Sequence, residues 1–328
     1  MNNILFLDPS VGSLNKGDEI IMECVREEMM PLFADDFVLN LPTQVSPFHC
    51  YQVMRNSLRV QTYSNCKYKF VGGSNLLVPD LRTHFPQWNI NIFNYQPLKN
   101  SVLVGVGAGA GAEGKINAYT RYIYQHLLSK NYIHSVRDER SKQYVERLGL
   151  KAINTGCVTM WKLTPEFCAS IPKNKADIVV FTLTPSVNPE RKEKYQFILD
   201  ILLRNYRTVV FWPQGINDME YFLKLNSHEM IKVLPATVQS YARFLSDNDT
   251  DYVGTRLHGG VYAMRHSKRS VIVSIDERAR AIHESNNLNC IDINDISLLS
   301  GFINKDIATK ISLDFDIINT WKSQFING

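Results

Sequence analysis

The sequence predicts an α/β protein of two Rossmann-like domains facing a cleft, and three observations carry that reading. The chain has 328 residues, room for two domains of about 150 residues each. Short β-branched runs alternate with amphipathic helical patterns almost throughout, the sequence form of parallel sheets wrapped by crossover helices. One proline- and lysine-bearing stretch, WKLTPEFCASIPKNK at 161–175, interrupts the alternation and divides it into two sets.

In the first set, residues 1–160, the expected strands are NILFLD, DFVLNL, KYKFVGG, SVLVGVG, IHSVRD and a short KAINTG. EIIMECVREEMMPLF supplies a helix because Ile20, Ile21, Cys24, Val25 and Met29 recur at helical spacing, and INAYTRYIYQHLLSK supplies another. After the linker expected at 161–175, the second set, 176–310, reads ADIVVFTLT, RTVVFWPQG, IKVLPA, DYVGTR and SVIVSID as strands. Its helices are ERKEKYQFILDILLRN, a segment around DMEYFLKLNS, VQSYARFLSD and HGGVYAMRHS. The closing segment 311–328 holds a helical pattern, DFDIINTWKSQF, expected to pack back on the first domain. Open α/β domains bind ligands beyond the carboxyl ends of their strands, so candidate functional residues are those that follow each strand.

Composition narrows the function classes. Hydrophobic residues make up 45% and charged ones 21%, as in an ordinary globular enzyme and unlike a disordered chain. A net charge of +4 with dispersed cations suits small anionic ligands better than nucleic acid. RNSLRVQTYSNCKYK at 55–69 and RHSKR at 265–269 are too sparse for a nucleic-acid stripe. The six cysteines lie far apart with no C-x-x-C, which predicts neither a zinc site nor a disulfide framework. MNNILFLDPSVGS reads as a first strand rather than a signal peptide, so a cytoplasmic location is expected.

SVLVGVGAGAGAEGKINAY at 101–119 contains Gly109, Gly111 and Gly114 in G-x-G-x-x-G spacing. A dinucleotide loop should follow the first strand of its domain and be answered by an acidic residue about 20 positions on. This segment follows about the fourth strand, and after Glu113 the next acidic side chain is Asp138. It reads as a strand-end turn in which small residues admit close approach.

SLNKGDEII at 13–21 places Asn15, Gly17 and Asp18 between the first strand and the first helix. Asp18 is read either as a general base or sugar ligand, or as a helix N-cap. VGGSN at 71–75 sets Gly73 and Ser74 at another strand end. SVRDERSKQYVERLG sets Arg137 after a strand with Asp138 capping the next helix, the alternative being a purely structural ion pair. DYVGTRLHGGVYAMRH at 251–266 carries most weight: a strand ending at Gly254 delivers Arg256, and Leu257, His258 and Gly259 open a helix. Helix-start amides and a guanidinium make an anion site, and His258 is placed to exchange a proton with its occupant. SIDERARAI follows the next strand and offers Arg278 or Arg280 to the same region.

Taken in order, NKGDE, GGSN, GVGAGAGAEG, SVRDERS with a following LG, NTGCVTMW, and DYVGTRLHGGVYA followed by VIVSIDERA resemble the polysaccharide pyruvyl transferases over nearly the whole chain. The resemblance implies a GT-B-like pair of domains and transfer of the pyruvyl (enolpyruvyl) group of phosphoenolpyruvate onto a sugar as a ketal, with phosphate released and neither metal nor redox cofactor. It places Arg256 and His258 in the phosphoenolpyruvate pocket of the C-terminal domain, with Arg137 reaching it from the other side; Asp18, across the cleft, is read as the base or orienting group for the acceptor hydroxyl. The partners implied are phosphoenolpyruvate and a saccharide acceptor. A lipid-linked acceptor would bring the protein to the inner membrane face, which its modest basicity permits. The competing readings are a GT-B glycosyltransferase using a nucleotide sugar, a non-catalytic carbohydrate-binding relative and a nicotinamide dehydrogenase.

Overall fold

The apolar run NILFLD becomes β1 (Asn3–Asp8), in which Ile4, Leu5, Phe6 and Leu7 are fully buried. Burial on both faces is what a central parallel strand requires, because crossover helices cover both sides of such a sheet. In this computed structural model, residues 1–82, 87–275 and 277–326 are described, with side chains at 277–279 and 281 left aside. The chain divides into two compact units. The first comprises Met1–Ser13, Ile21–Trp161 and the segment from Asp314 onward, and the second comprises Leu14–Ile20 and Lys162–Leu313.

In the first unit β1 pairs in parallel with β2 (Phe37–Pro42) and β3 (Tyr68–Gly72), and β3 pairs with β4 (Ser101–Val104), giving the order β2-β1-β3-β4. β5 (His134–Val136) and β6 (Ala152–Asn154) form a further parallel pair, joined to the chain beyond β4 by the bridge between Val106 and Val136. α1 (Lys16–Met29) makes the first crossover, and its Ile21 and Met22 lie where side chains on Gly73 and Gly72 would have to sit. Those two glycines therefore let the helix approach the sheet. α2 (Cys50–Met54) and α3 (Leu58–Ser64) lead into β3, α4 (Ala118–Leu127) follows β4, and α5 (Glu139–Arg147) joins β5 to β6.

The second unit begins with α6 (Pro165–Ala169), capped by the Thr164 hydroxyl. The stretch expected as a linker is thus divided: Lys162 to Lys175 belong to the second unit, where Lys175 Nζ donates to the Asn205 carbonyl. Trp161 stays with the first, donating from Nε1 to the Thr155 carbonyl at 2.9 Å. The six strands are β7 (Ile178–Thr182), β8 (Thr208–Phe211), β9 (Lys232–Val233), β10 (Thr250–Gly254), β11 (Ser270–Ser274) and β12 (Cys290–Asp292). All pair in parallel in the order β12-β11-β10-β7-β8-β9. Counted within the unit this is 6-5-4-1-2-3, the dinucleotide-fold order, whose direction reverses between β7 and β10. The helices are α7 (Pro189–Asn205), α8 (Asp218–Phe222), α9 (Val238–Asp247), α10 (Leu257–Arg265), α11 (Glu277–Asn286) and α12 (Leu299–Ile303). A buried ion pair of Arg269 with Asp251 ties β10 and β11 to the end of α12, because the same guanidinium donates to the Ile303 and Lys305 carbonyls.

The last helix, α13 (Phe315–Ser323), completes the first unit. Trp321 Nε1 donates to the Ile133 carbonyl at 2.7 Å, Lys322 pairs with Glu28 at 2.6 Å, and the Phe325 ring meets Phe70 edge-on at 5.0 Å. The six cysteines are all free thiols. Among the described residues no helix is long and apolar enough to cross a membrane.

His134 has a measurable consequence. It is fully buried in β5; its Nδ1 accepts from the Leu103 amide at 3.2 Å, so the neutral ring donates from Nε2 to the Ser129 carbonyl at 2.9 Å. Burial holds its pKa down to about 4. Because the folded value lies below that of the unfolded chain, this contribution to stability is complete above about pH 6.5 and declines as pH falls toward 4, by about 1.4 kcal/mol per unit. Thermal unfolding at pH 7 and pH 5 should show a fall in stability that is smaller by about 2 kcal/mol in His134→Asn, whose side-chain oxygen replaces Nδ1 as acceptor. An identical fall in the two proteins would contradict the assignment.

Candidate functional site

The site grows from the reversal point of the second sheet. β7 and β10 end side by side, and Gly254 leaves no room for a side chain against Thr182. The chain then bends outward, with the Thr255 amide donating to the Thr182 carbonyl at 3.1 Å and the Arg256 amide to its hydroxyl at 3.3 Å. Arg256 is the N-cap residue of α10, and its carbonyl accepts from the buried Tyr252 hydroxyl at 2.6 Å and the Gly260 amide at 3.1 Å. Burial pushes the Tyr252 phenol well above its ordinary range, so it stays a neutral donor. Leu257, His258 and Gly259 therefore form the first turn of α10, where backbone N–H groups lack acceptors within the helix and carry its positive partial charge.

Next to it comes the loop that follows β8. The amides of Gln214 and Gly215 both donate to one oxygen of Asp218, at 3.0 and 2.8 Å, and the other oxygen takes the Arg256 guanidinium. Asp218 is completely buried, and burial raises its carboxyl pKa while Arg256 and the two amides act against the shift. Arg256 also donates from Nε to the Leu183 carbonyl at 3.0 Å. Arg256, expected as the guanidinium of an anion site, thus has Nε and Nη2 engaged by protein groups, because a buried carboxylate in this loop needs a counter-charge. Among the described residues Nη1 makes no protein hydrogen bond.

The third component arrives from far away in sequence. Asn15 forms an antiparallel bridge with Gly215; the Lys16 amide donates to the Gln214 carbonyl at 2.8 Å and the Ile216 amide to the Leu14 carbonyl at 3.0 Å. Gln214 Nε2 donates to Asn15 Oδ1 at 2.9 Å, and the same oxygen accepts from the Gly17 amide at 3.0 Å. Asn15 is therefore the cap of α1, the part that sequence reasoning offered to Asp18. Asp18 sits in the first turn of that helix, 5% exposed. A side-chain carbon on Gly17 would lie 2.9 Å from Gln214 Nε2 and 3.2 Å from His258 Nδ1, which puts the first turn of α1 against the imidazole. Asn15, Gly17 and Asp18 were expected across a cleft from His258; they belong to the same unit as His258. The backbone bonds to residues 214–216 are the reason.

The remaining expected residues are in the first unit or outside the described side chains. Gly73 serves the approach of α1 and Ser74, in a left-handed conformation (φ +73°), donates to Gln87 Oε1 at 2.7 Å. Arg137 is buried over Gly107, where it donates to Asn75 Oδ1 and pairs with Asp138 at 3.1 Å. Asp138 also caps α5 through the Ser141 amide at 2.7 Å. Asp276 and the Arg278 side chain lie outside the described residues, while Arg280 pairs with Asp292 at 2.8 Å. The glycine-rich turn is tethered, since Arg147 donates to the carbonyls of Ala112, Glu113 and Gly114, and no helix starts directly from it. Sequence reasoning missed Gln214, Asp218, Thr182 and Tyr252. The rule that ligands lie after strands applied equally to FWPQG, and would have found Gln214.

The family profile described as polysaccharide pyruvyl transferase matches residues 15–277, from the cap of α1 to the start of α11. The chain belongs to this family. It is accordingly a transferase. No curated protein matches the sequence. Among solved structures, a Staphylococcus aureus MnaA co-structure with UDP superposes with a TM-score of 0.53 at 10% identity, covering 100% of this chain and 95% of that one. A UDP-N-acetylglucosamine 2-epimerase gives 0.50 at 12% identity, covering 98% and 90%. These likenesses show the fold alone: α/β, two Rossmann-like units of the GT-B class.

The Arg256–Asp218 pair makes a direct test of this construction. Asp218→Ala strands a largely buried guanidinium and two amides, and should lower the urea-unfolding free energy by about 3–5 kcal/mol. Adding Arg256→Met in that background should recover a substantial part of the loss. A cost below about 1 kcal/mol would show that the pair does not organise the loop.

Proposed function

We propose that this protein transfers the pyruvyl group of phosphoenolpyruvate to a saccharide, forming a cyclic ketal and releasing phosphate. The observation that carries the reading is the meeting of two helix starts, α1 at Gly17 and α10 at His258, around the Gln214 side chain. The positive end of α10, set against the capped start of α1, suits a small dianion better than a neutral sugar. Phosphoenolpyruvate carries a phosphate and a carboxylate on three carbons, which matches that demand. The family membership supports the same donor.

In this mechanism His258, as imidazolium, protonates the methylene carbon and leaves C2 electrophilic. A sugar hydroxyl adds to C2 as Asp18 takes its proton, the C2–O bond to phosphate breaks, and a second hydroxyl of the same sugar closes the ketal. Of the two hydroxyl protons lost, one replaces the proton that His258 placed in the methyl group and the other leaves with phosphate. The α10 amides at Leu257, His258 and Gly259, with Arg256 Nη1, stabilise the departing phosphate. Arg256 acts mainly by holding the Gln214–Gly215 loop. The reaction as written needs no metal or redox cofactor.

Labelled phosphoenolpyruvate, incubated with lipid-linked and nucleotide-linked saccharides, tests the proposal by the appearance of label in a glycan. His258→Ala should lower that transfer by about 100-fold or more while leaving thermal stability unchanged, the usual scale of a lost general acid. Retention of about a tenth of the activity would remove His258 from the acid role. The structural neighbours that hold nucleotides define the competing result: stabilisation of the protein by uridine diphosphate and not by phosphoenolpyruvate would favour a nucleotide-sugar glycosyltransferase.

A further inference from the structure

We infer that the first unit carries a docking surface for an anionic lipid bilayer, formed by α2, the start of α3 and the loop at 91–94. This inference does not depend on the chemistry proposed above. α2 has no buried residue, and from His49 to Arg59 every side chain except the half-buried Val53 is exposed. The exposed set includes four large hydrophobic side chains: Met54 and Leu58 are each 82% exposed, Tyr51 52% and Phe93 65%. Contiguous apolar exposure of this kind marks a surface that another phase or molecule covers.

The surface is held firmly from behind. Phe48 is buried with its ring 5.5 Å from Tyr63, and Val60 anchors α3. The loop at 91–94 is bound to the same segment, because Asn94 Nδ2 donates to Ser46 Oγ at 3.0 Å. Between them lies a cavity of about 420 Å³ bordered by Phe48, His49, Cys50 and Phe93. The apolar tips therefore project from a fixed base.

Charge decides the occupant. From Asp36 to Glu113 the only intervening acidic residue is Asp80, against Arg55, Arg59, Lys67, Lys69, Arg82 and Lys99. Asp80 is taken by Arg82 at 3.1 Å. On the surface itself Arg55 lies over the Tyr51 ring at 4.2 Å, and neither Arg55 nor Arg59 pairs with a carboxylate among the described residues. Apolar tips interleaved with unpaired guanidinium groups fit the interface of a bilayer, where the tips enter the acyl boundary and the cations meet phosphates. The stretch RNSLRVQTYSNCKYK, too sparse for nucleic acid, thereby acquires a use.

The test is flotation of the full-length protein with vesicles of phosphatidylcholine containing about 30% phosphatidylglycerol, against phosphatidylcholine alone. Binding should require the anionic lipid and decline with salt. Arg55→Gln with Arg59→Gln should weaken it about 30-fold, from the usual contribution of a basic residue at such a surface. Met54→Glu with Leu58→Glu should abolish it, with circular dichroism unchanged because both side chains are exposed. Absence of wild-type binding, or wild-type binding by both variants, would overturn the inference. So would a wild-type dimer that Met54→Glu converts to monomer, since a second copy would then cover the surface.

Discussion

The site depends on one side chain, Gln214, and on what its amide holds together. It donates to Asn15 Oδ1 at 2.9 Å, and that oxygen in turn caps the first turn of α1. Its own backbone amide is fixed by Asp218 and its carbonyl by Lys16. Among the described residues its Oε1 is buried without a hydrogen-bond partner, and it lies 2.8 Å from where a side-chain carbon on Gly259 would stand. An unsatisfied buried acceptor is costly, by about 1–3 kcal/mol, and its retention beside the first turn of α10 is expected where preorganisation matters more than stability.

From this tether the rest follows in sequence. Residues 14–20 join the second unit although β1 and the body of α1 belong to the first. The two helix starts then lie so close that a side-chain carbon on Gly17 would press on the Gln214 amide and the His258 ring. The strand order places His258 and Arg256 at the reversal between β7 and β10, the position at which two crossovers depart to opposite faces and leave a crevice. Arg256 contributes through its grip on Asp218, so the positive partial charge at the start of α10 comes from its backbone amides more than from a free guanidinium.

Much of the fold was legible because its signals are local. β1, β7, β8, β10 and β11 are short apolar runs, buried throughout or nearly so, and α10 opens within TRLHGG, just after β10 ends at Gly254. The allocation of NKGDE to the second unit was not legible, since it rests on hydrogen bonds spanning 199 residues, from Asn15 to Gln214. For the same reason Asp18 was offered the capping role that Asn15 fills. The partnership of Arg256 with Asp218 was hidden likewise, because an Asp opening the pattern DMEYF reads as an ordinary helix start. The spacing of Gly109, Gly111 and Gly114 suggested a cofactor loop, and its place after a late strand set that reading aside.

The central claim is that the joined starts of α1 and α10 form the donor anion site. A crystal structure of the protein soaked with phosphoenolpyruvate tests it most directly. The account predicts phosphate density within hydrogen-bond distance of the Leu257–Gly259 amides, with the methylene carbon beside the His258 ring. Phosphoenolpyruvate bound at the Gly109–Gly114 turn, or phosphate held at the α10 start with the methylene turned away from His258, would contradict it.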